Sequence, residues 1–213
     1  MRNQNTPIAV EGYPFIAVAG GATVALVLLS WKIPALLALT ATLYIAYFFR
    51  NPQRIPPPDE HTFLAPADGV VTFLGKAREV HLGAEMMKVS IFMSVFNVHV
   101  NRVPCTGTVV DTFYRKGKFY DARDEKATFE NEQSGIILET ERGDKVVVVQ
   151  VAGLIARRIV SYPKKGDVLR RGQRFGLIRF GSRVDVYLPA DVEIRVAAGE
   201  RTVAGETILG RLP

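Results

Sequence analysis

The stretch Arg179–Pro189, RFGSRVDVYLP, sets one small hydroxyl, Ser182, between Gly181 and Arg183 at the mouth of an apolar run, Val184–Leu188. The β-branched and aromatic residues of that run, closed by Pro189, read as a strand. Similar short runs punctuated by glycine continue through the chain beyond residue 60: Gly69–Gly75, Lys88–Val103, Thr106–Phe113, Ile136–Thr140, Lys145–Ala152 and Val192–Val196. Their lengths and turn signals predict a mainly β fold, a single sandwich or barrel-like domain. Tyr120–Gln133 is dense in charge and lacks alternation, so it reads as a loop or short helix crossing the surface.

Two turn-rich segments flank Ser182. Gly166-Asp167, Gly172-Gln173 and Phe175 recur 33 residues later (199 less 166) as Gly199-Glu200, Gly205-Glu206 and Ile208. This two-copy echo resembles the hairpin halves of biotinyl and lipoyl carrier folds.

Upstream, the pattern changes. Phe15–Trp31 and Ile33–Phe49 are uncharged apolar runs of about 17 residues, each roughly 26 Å long as a helix against a hydrocarbon core of about 30 Å. Lys32 alone separates them, and Pro34 suits the first turn of a second helix, so residues 1–50 predict a membrane-anchoring helical hairpin with its tip at Trp31–Ile33. Arg2, Arg50 and Arg54 lie at the two ends against a single Lys32 at the tip, which predicts a cell-membrane protein with its bulk on the cytoplasmic side. The same runs could also enter as a re-entrant pair. Glu11 in the leader and the immediate second run speak against a cleaved signal peptide. Asn51–Glu60, with Pro52 and Pro56-Pro57-Pro58, predicts a stiff linker, leaving 61–213 as the catalytic domain.

The formal charge is +6, and the basic residues are scattered without interleaved aromatics. Beside a membrane anchor this points to an anionic lipid surface rather than nucleic acid. The single cysteine, Cys105, excludes an internal disulfide and reads as a small core residue.

Three polar groups are candidates for chemistry. Asp68 lies in APADGVV, where Asp-Gly is also an ordinary turn dipeptide. His99 lies in FMSVFNVHVNRVP; as one strand, this would put Asn97, His99 and Asn101 on one face, toward solvent or toward a site. Ser182 needs a base before its hydroxyl becomes a useful nucleophile.

Lys164–Pro189, taken with PADG at Pro66–Gly69 and NVHVNRVPCTG at Asn97–Gly107, resembles the phosphatidylserine decarboxylase family in its compact membrane-associated bacterial and archaeal form. The resemblance runs from Phe49 to Pro213 and takes in FFRNPQRIPP and the Asn131-Glu132 pair. It implies a self-processing proenzyme: cleavage between Gly181 and Ser182 leaves a β chain of 1–181 and an α chain of 182–213, held together as a heterodimer that could assemble into a larger homo-oligomer. Ser182 would become a covalent pyruvoyl group, able to form a Schiff base with the amine of phosphatidylserine, and no metal is implied. His99 matches the family histidine assigned to decarboxylation, and Asp68 the aspartate assigned to self-cleavage. The family's second histidine aligns with Arg102, a poor base, so either His99 serves both steps or Asp68 acts through water. GSR replaces the GST or GSS of larger members, which suggests Arg183 as a contact for the lipid phosphate. His61 and His81 are spare candidates.

Two other readings compete with this one. MMKVS places Lys88 as in a biotin-acceptor sequence, which would make a carrier module. Asp68, His99 and Ser182 could also form a hydrolase triad, although no nucleophile elbow is present.

Overall fold

A computed structural model describes residues 4, 6–124, 126–154, 158–179 and 181–212. It divides into two compact units, one ending at Gln53 and one beginning at Arg54. In the first, helix α1 (Tyr13–Leu28) follows a 3-10 turn at Val10–Gly12, and α2 (Lys32–Phe48) packs against it. The turn between them lies at Leu29–Trp31, one or two residues before the expected tip, because Ser30 takes a left-handed φ of 58° and reverses the chain there. Thr23 and Thr42 hydroxyls meet across the pair at 3.1 Å. The Ala9 N–H donates to the Phe49 carbonyl and Asn51 to that of Pro7, so both ends of the hairpin lie together. Val10–Leu28, with a mean hydropathy of 1.5, is long and apolar enough to cross a membrane; α2 is shorter at 17 residues.

In the second unit the chain forms β1 (Thr62–Leu64), β2 (Gly69–Glu79), β3 (Ala84–Met93), β4 (Val100–Arg102), β5 (Gly107–Arg115), the short α3 (Ala127–Glu130), β6 (Gln133–Glu139) and β7 (Lys145–Ala152). It ends with β8 (Ile159–Ser161), β9 (Val168–Leu169), β10 (Arg174–Ile178), β11 (Ser182–Leu188), β12 (Glu193–Ile194), β13 (Arg201–Thr202) and β14 (Ile208–Arg211). An eight-stranded sheet runs β13-β2-β3-β11-β7-β6-β5-β9, and two three-stranded sheets run β1-β14-β12 and β4-β10-β8. The unit is mainly β, as the run lengths predict.

All seven residues of β11 are buried because β3 and β7 pair with it on either side. Alternation sorts its side chains. Val184, Val186 and Leu188 join the main core with Val89, Ile91, Val146 and Val148, while Tyr187 joins the smaller cluster of Val147, Val149 and Val151 on the other face. Each such aliphatic side chain contributes roughly 1.5–3 kcal/mol of burial.

From Arg54 onward the proline-rich segment belongs to the β unit. Arg54 bonds Asp68, Ile55 N–H donates to Glu206, and the Arg171 guanidinium donates to the carbonyls of Pro57 and Asp59. The four glycines of the echo, Gly166, Gly172, Gly199 and Gly205, all have φ between 75° and 92°, so the repeat is one of backbone as well as of letters.

Candidate active site

Ser182 opens β11 directly between Met93 of β3 and Ala152 of β7. It has no exposed surface, and its Oγ makes no hydrogen bond among the described residues. Leaving a buried hydroxyl unpaired costs about 1–3 kcal/mol, so the surrounding ladder holds it against that cost. Gly181 sits at φ +53°, a conformation that strains any residue with a Cβ. Its carbonyl oxygen rests on the backbone of Gly153, where an added Cβ would run into it, and Ala122 Cβ lies 3.3 Å from the same point. Gly153 escaped the sequence reading. The signal was a lone glycine directly after the run Lys145–Ala152, a mark of close backbone approach.

His99 reaches the same end of the sheet by another route. Leu177 pairs with Val100, and the Ile178 N–H donates to the His99 carbonyl at 3.3 Å. The His99 side chain is buried, with Nδ1 3.0 Å from the Asn97 carbonyl oxygen. A carbonyl can only accept, so Nδ1 carries the proton and Nε2 is the basic nitrogen. The expected single strand Lys88–Val103, with an Asn-His-Asn row, is not what forms. The chain leaves β3 after Met93 and turns, because Asn97 Oδ1 accepts from both the N–H (2.9 Å) and the hydroxyl (2.8 Å) of Ser94. Such local bonds outcompete a ladder. Asn101 is buried and accepts from Gln150 Nε2 at 2.8 Å, a strand residue that the pattern alone did not single out.

Asp68 stands apart from these two. Its Oδ1 accepts from the Ala204 N–H at 2.8 Å and its Oδ2 from Arg54 at 2.9 Å. Val70 pairs with Phe92, which pairs with Arg183, so Asp68 begins a strand two places from β11, on the order of 10 Å across at the usual strand spacing. Ser182 Oγ bonds neither Asp68 nor His99, so the three do not form a hydrogen-bonded relay. Arg102 is buried and donates to the Gly172 carbonyl at 2.8 Å. Burial, then Arg174 and Arg54, bring its guanidinium down to about 10, with Asp68 and Glu206 pulling the other way. It remains a cation at neutral pH.

The suggestion that Arg183 meets a lipid phosphate is overturned. Its guanidinium is 4% exposed, grips Asp185 through Nε (2.8 Å) and Nη2 (3.0 Å), and donates to the Ala122 carbonyl and the Thr128 hydroxyl. Lys88 Nζ meets the same carboxylate at 3.1 Å and is itself buried, so it cannot serve as the exposed acceptor of a carrier module. Burial would raise the Asp185 carboxyl, but Arg183 and Lys88 outweigh it and hold it below the ordinary range. His81 stacks on Phe113 and pairs with Glu79 beyond the far end of β2, and His61 bonds Asp59 through its backbone, both outside this site. Cys105 is buried in the core, which pushes its thiol up to about 12.

Comparison with known proteins adds to this geometry. The sequence model of the phosphatidylserine decarboxylase family matches residues 41–210. A phosphatidylserine decarboxylase proenzyme of Geotalea uraniireducens is 70% identical over 213 residues, covering all of both chains. Proenzymes of the same name from Geobacter sulfurreducens and Syntrophotalea carbinolica are 65% and 57% identical, again over the full length of both chains. With an exposed-strand carrier lysine excluded and this match spanning both the Ser182 and the His99 segments, the chain belongs to the phosphatidylserine decarboxylase family.

Proposed function

We propose that this chain is a proenzyme that cuts itself between Gly181 and Ser182 and then converts phosphatidylserine to phosphatidylethanolamine. The observation that carries the reading is the Ser182 hydroxyl: buried, without a partner among the described residues, and adjacent to a left-handed glycine whose carbonyl is pressed on Gly153.

The Ser182 Oγ attacks the Gly181 carbonyl carbon, where no side chain obstructs it. The C–N bond breaks as the C–O bond forms, leaving an ester and a free amine on residue 182. Removal of the Ser182 α-proton expels the Gly181 carboxylate, and water replaces the amine as ammonia leaves, giving a ketone. His99, on the segment bonded to Ile178 four residues before Ser182, is the candidate base, with Nε2 as its basic nitrogen. Asp68, engaged by Arg54 and Ala204 on a strand two places away, makes no bond to Ser182, which favours His99 as the base for cleavage and the later protonation and leaves Asp68 to act on cleavage through its charge. The orphaned buried oxygen at residue 182 suits a pyruvoyl group, whose carbonyl supplies the electron sink that lets carbon dioxide leave. His99, held by the Asn97 carbonyl, then delivers a proton to the substrate carbon.

Cleavage would not release the C-terminal piece. Residues 182–213 contribute β11, β13 and β14, each paired with a strand of 1–181, so the two chains remain one domain. The apolar helices would anchor it, and the charge asymmetry of their ends favours the cytoplasmic side.

Intact mass spectrometry tests this reading. The purified protein should show two chains divided at residue 182, the smaller carrying a keto terminus, while Ser182→Ala should stay whole and release no carbon dioxide from phosphatidylserine. A Ser182→Ala protein that decarboxylates would refute it.

A further inference from the structure

The register of the large sheet fixes what surrounds Ser182. β3 and β7 both run antiparallel to β11, so both end where β11 begins, with Met93 and Ala152 level with Ser182. Three residues beyond Met93 stands Phe96, 66% exposed, and two beyond Ala152 stands Leu154, 67% exposed. β10 and β8 meet at the same end, where Ile178 pairs with Ile159 and the Arg179 N–H donates to the Arg158 carbonyl. Arg158 is exposed and Arg179 half-buried. The nearby Asp121, in the turn whose Ala122 packs toward Gly153, is neutralised by Arg123 at 2.6 Å. An apolar pair and the exposed Arg158 therefore rim the end of the sheet in which the buried serine lies.

We propose that this end of the β unit docks on an anionic phospholipid surface, with Phe96 and Leu154 entering the headgroup boundary and the exposed Arg158 facing lipid phosphates. The proposal rests on the reading above, since a headgroup that stays attached to acyl chains must approach Ser182 from the bilayer, and this rim is the end of the sheet at which Ser182 lies. Large apolar side chains flanked by arginine suit such an interface, where the ring or isobutyl group leaves water and the cations meet the negative surface. This contact is separate from the anchoring role of the apolar helices.

Site-specific labelling tests it on the full-length chain. Phe96→Cys and Leu154→Cys, made separately, are labelled with an environment-sensitive fluorophore and reconstituted in vesicles of phosphatidylglycerol and phosphatidylcholine carrying spin-labelled lipid. Val80→Cys is the control: it is 69% exposed in the β2–β3 hairpin, at the opposite end of the sheet. The buried Cys105, its thiol pushed up to about 12, stays unlabelled. The labels at 96 and 154 should shift to the blue and be quenched by the lipid, the label at 80 should not, and replacing phosphatidylglycerol by phosphatidylcholine should weaken the quenching. Labels at 96 and 154 that remain in water overturn the proposal, as does equal quenching at 80. Quenching by a second labelled copy without quenching by lipid also overturns it, by making the rim an interface between copies. Quenching indifferent to lipid charge overturns the part given to Arg158. The two readings fail separately: a chain that cleaves and decarboxylates with both labels in water loses only the docking surface, and labels that enter lipid in a chain that does neither lose only the enzymatic reading.

Discussion

Residues 64–71 and 102–109 are two copies of one backbone device; they share Pro, Gly and Val at three positions, and at two of the five that differ only one copy carries a charge. The Leu64 N–H donates to the Pro104 carbonyl and the Arg102 N–H to that of Pro66, both at 2.9 Å, so the copies hold each other reciprocally. Each also receives one half of the glycine echo. Gly205 and Gly199 donate to Ala65 and Val71, and Gly172 and Gly166 donate to Val103 and Val109, all at 2.8 Å. Even the turn side chains correspond: Asp68 Oδ1 accepts from the Ala204 N–H at 2.8 Å, and Thr106 Oγ1 from the Arg171 N–H at 3.2 Å. In charge the copies part at two places, where Asp68 corresponds to Thr106 and Arg102 to Leu64. The fold asks for a hydrogen-bond acceptor at that turn and an ordinary residue before it; it does not ask for either charge. Both charges occur in the pair that feels each other electrostatically.

The comparison breaks most sharply with Asp68→Thr, which grafts the residue of one copy onto the other. The acceptor for Ala204 survives, so thermal unfolding should stay within a few degrees of the parent. Self-cleavage, followed by gel electrophoresis over time, should slow by about 100-fold or more, the usual scale for a lost acid–base group or its positioning partner. Cleavage at the parental rate would show the carboxylate to be only a turn residue.

Much of this arrangement could be read from the letters. Lys145–Ala152 forms a strand with the bounds its β-rich run predicts, and the four echo glycines announce their turns. Ser182 was visible as a hydroxyl trapped between glycine and a strand. What stayed hidden depends on contacts between distant residues. The break after Met93 needs the Asn97 side chain to fold back on Ser94, which competes with a strand pattern that looks continuous. Arg183 read as a contact for a lipid phosphate and Lys88 as a candidate acceptor lysine because nothing in the sequence pairs them with Asp185; only the register of β3 against β11 does. Gly153 matters because of the Gly181 carbonyl, nearly thirty positions away.

Arg102→Leu makes the second graft. It removes a buried cation that lies close to Arg174 and Arg54, so stability should hold or rise, since a well-packed apolar residue in place of a buried ion is often neutral or better. Self-cleavage should slow by roughly tenfold, the equivalent of one unit in the proton affinity of a coupled group. An unchanged rate would separate Arg102 from the chemistry. Gly172→Ala and Gly205→Ala then compare the two glycine turns by thermal denaturation. Both positions have positive φ and should lose about 1–2 kcal/mol. Gly172→Ala should lose more, because its Cβ meets the Pro56 ring at 2.6 Å, whereas at Gly205 it meets the flexible Arg102 side chain at 2.8 Å. Equal losses would mean that backbone strain alone sets the cost.

The smallest effect is expected from the reverse graft, Thr106→Asp. Thr106 is exposed, so a carboxylate there keeps its solvation, and one of its oxygens can replace the hydroxyl as acceptor for the Arg171 N–H. Surface changes of this kind usually stay within about 0.5 kcal/mol, so unfolding and self-cleavage should both match the parent. That null result has content when set beside Asp68→Thr. If aspartate is tolerated at one copy and threonine disables the other, the turn chemistry is interchangeable and the charge at residue 68 serves the serine. A marked loss of stability in Thr106→Asp would instead mean that the two turns differ in what they can hold, and the asymmetry at Asp68 would then be a property of the scaffold.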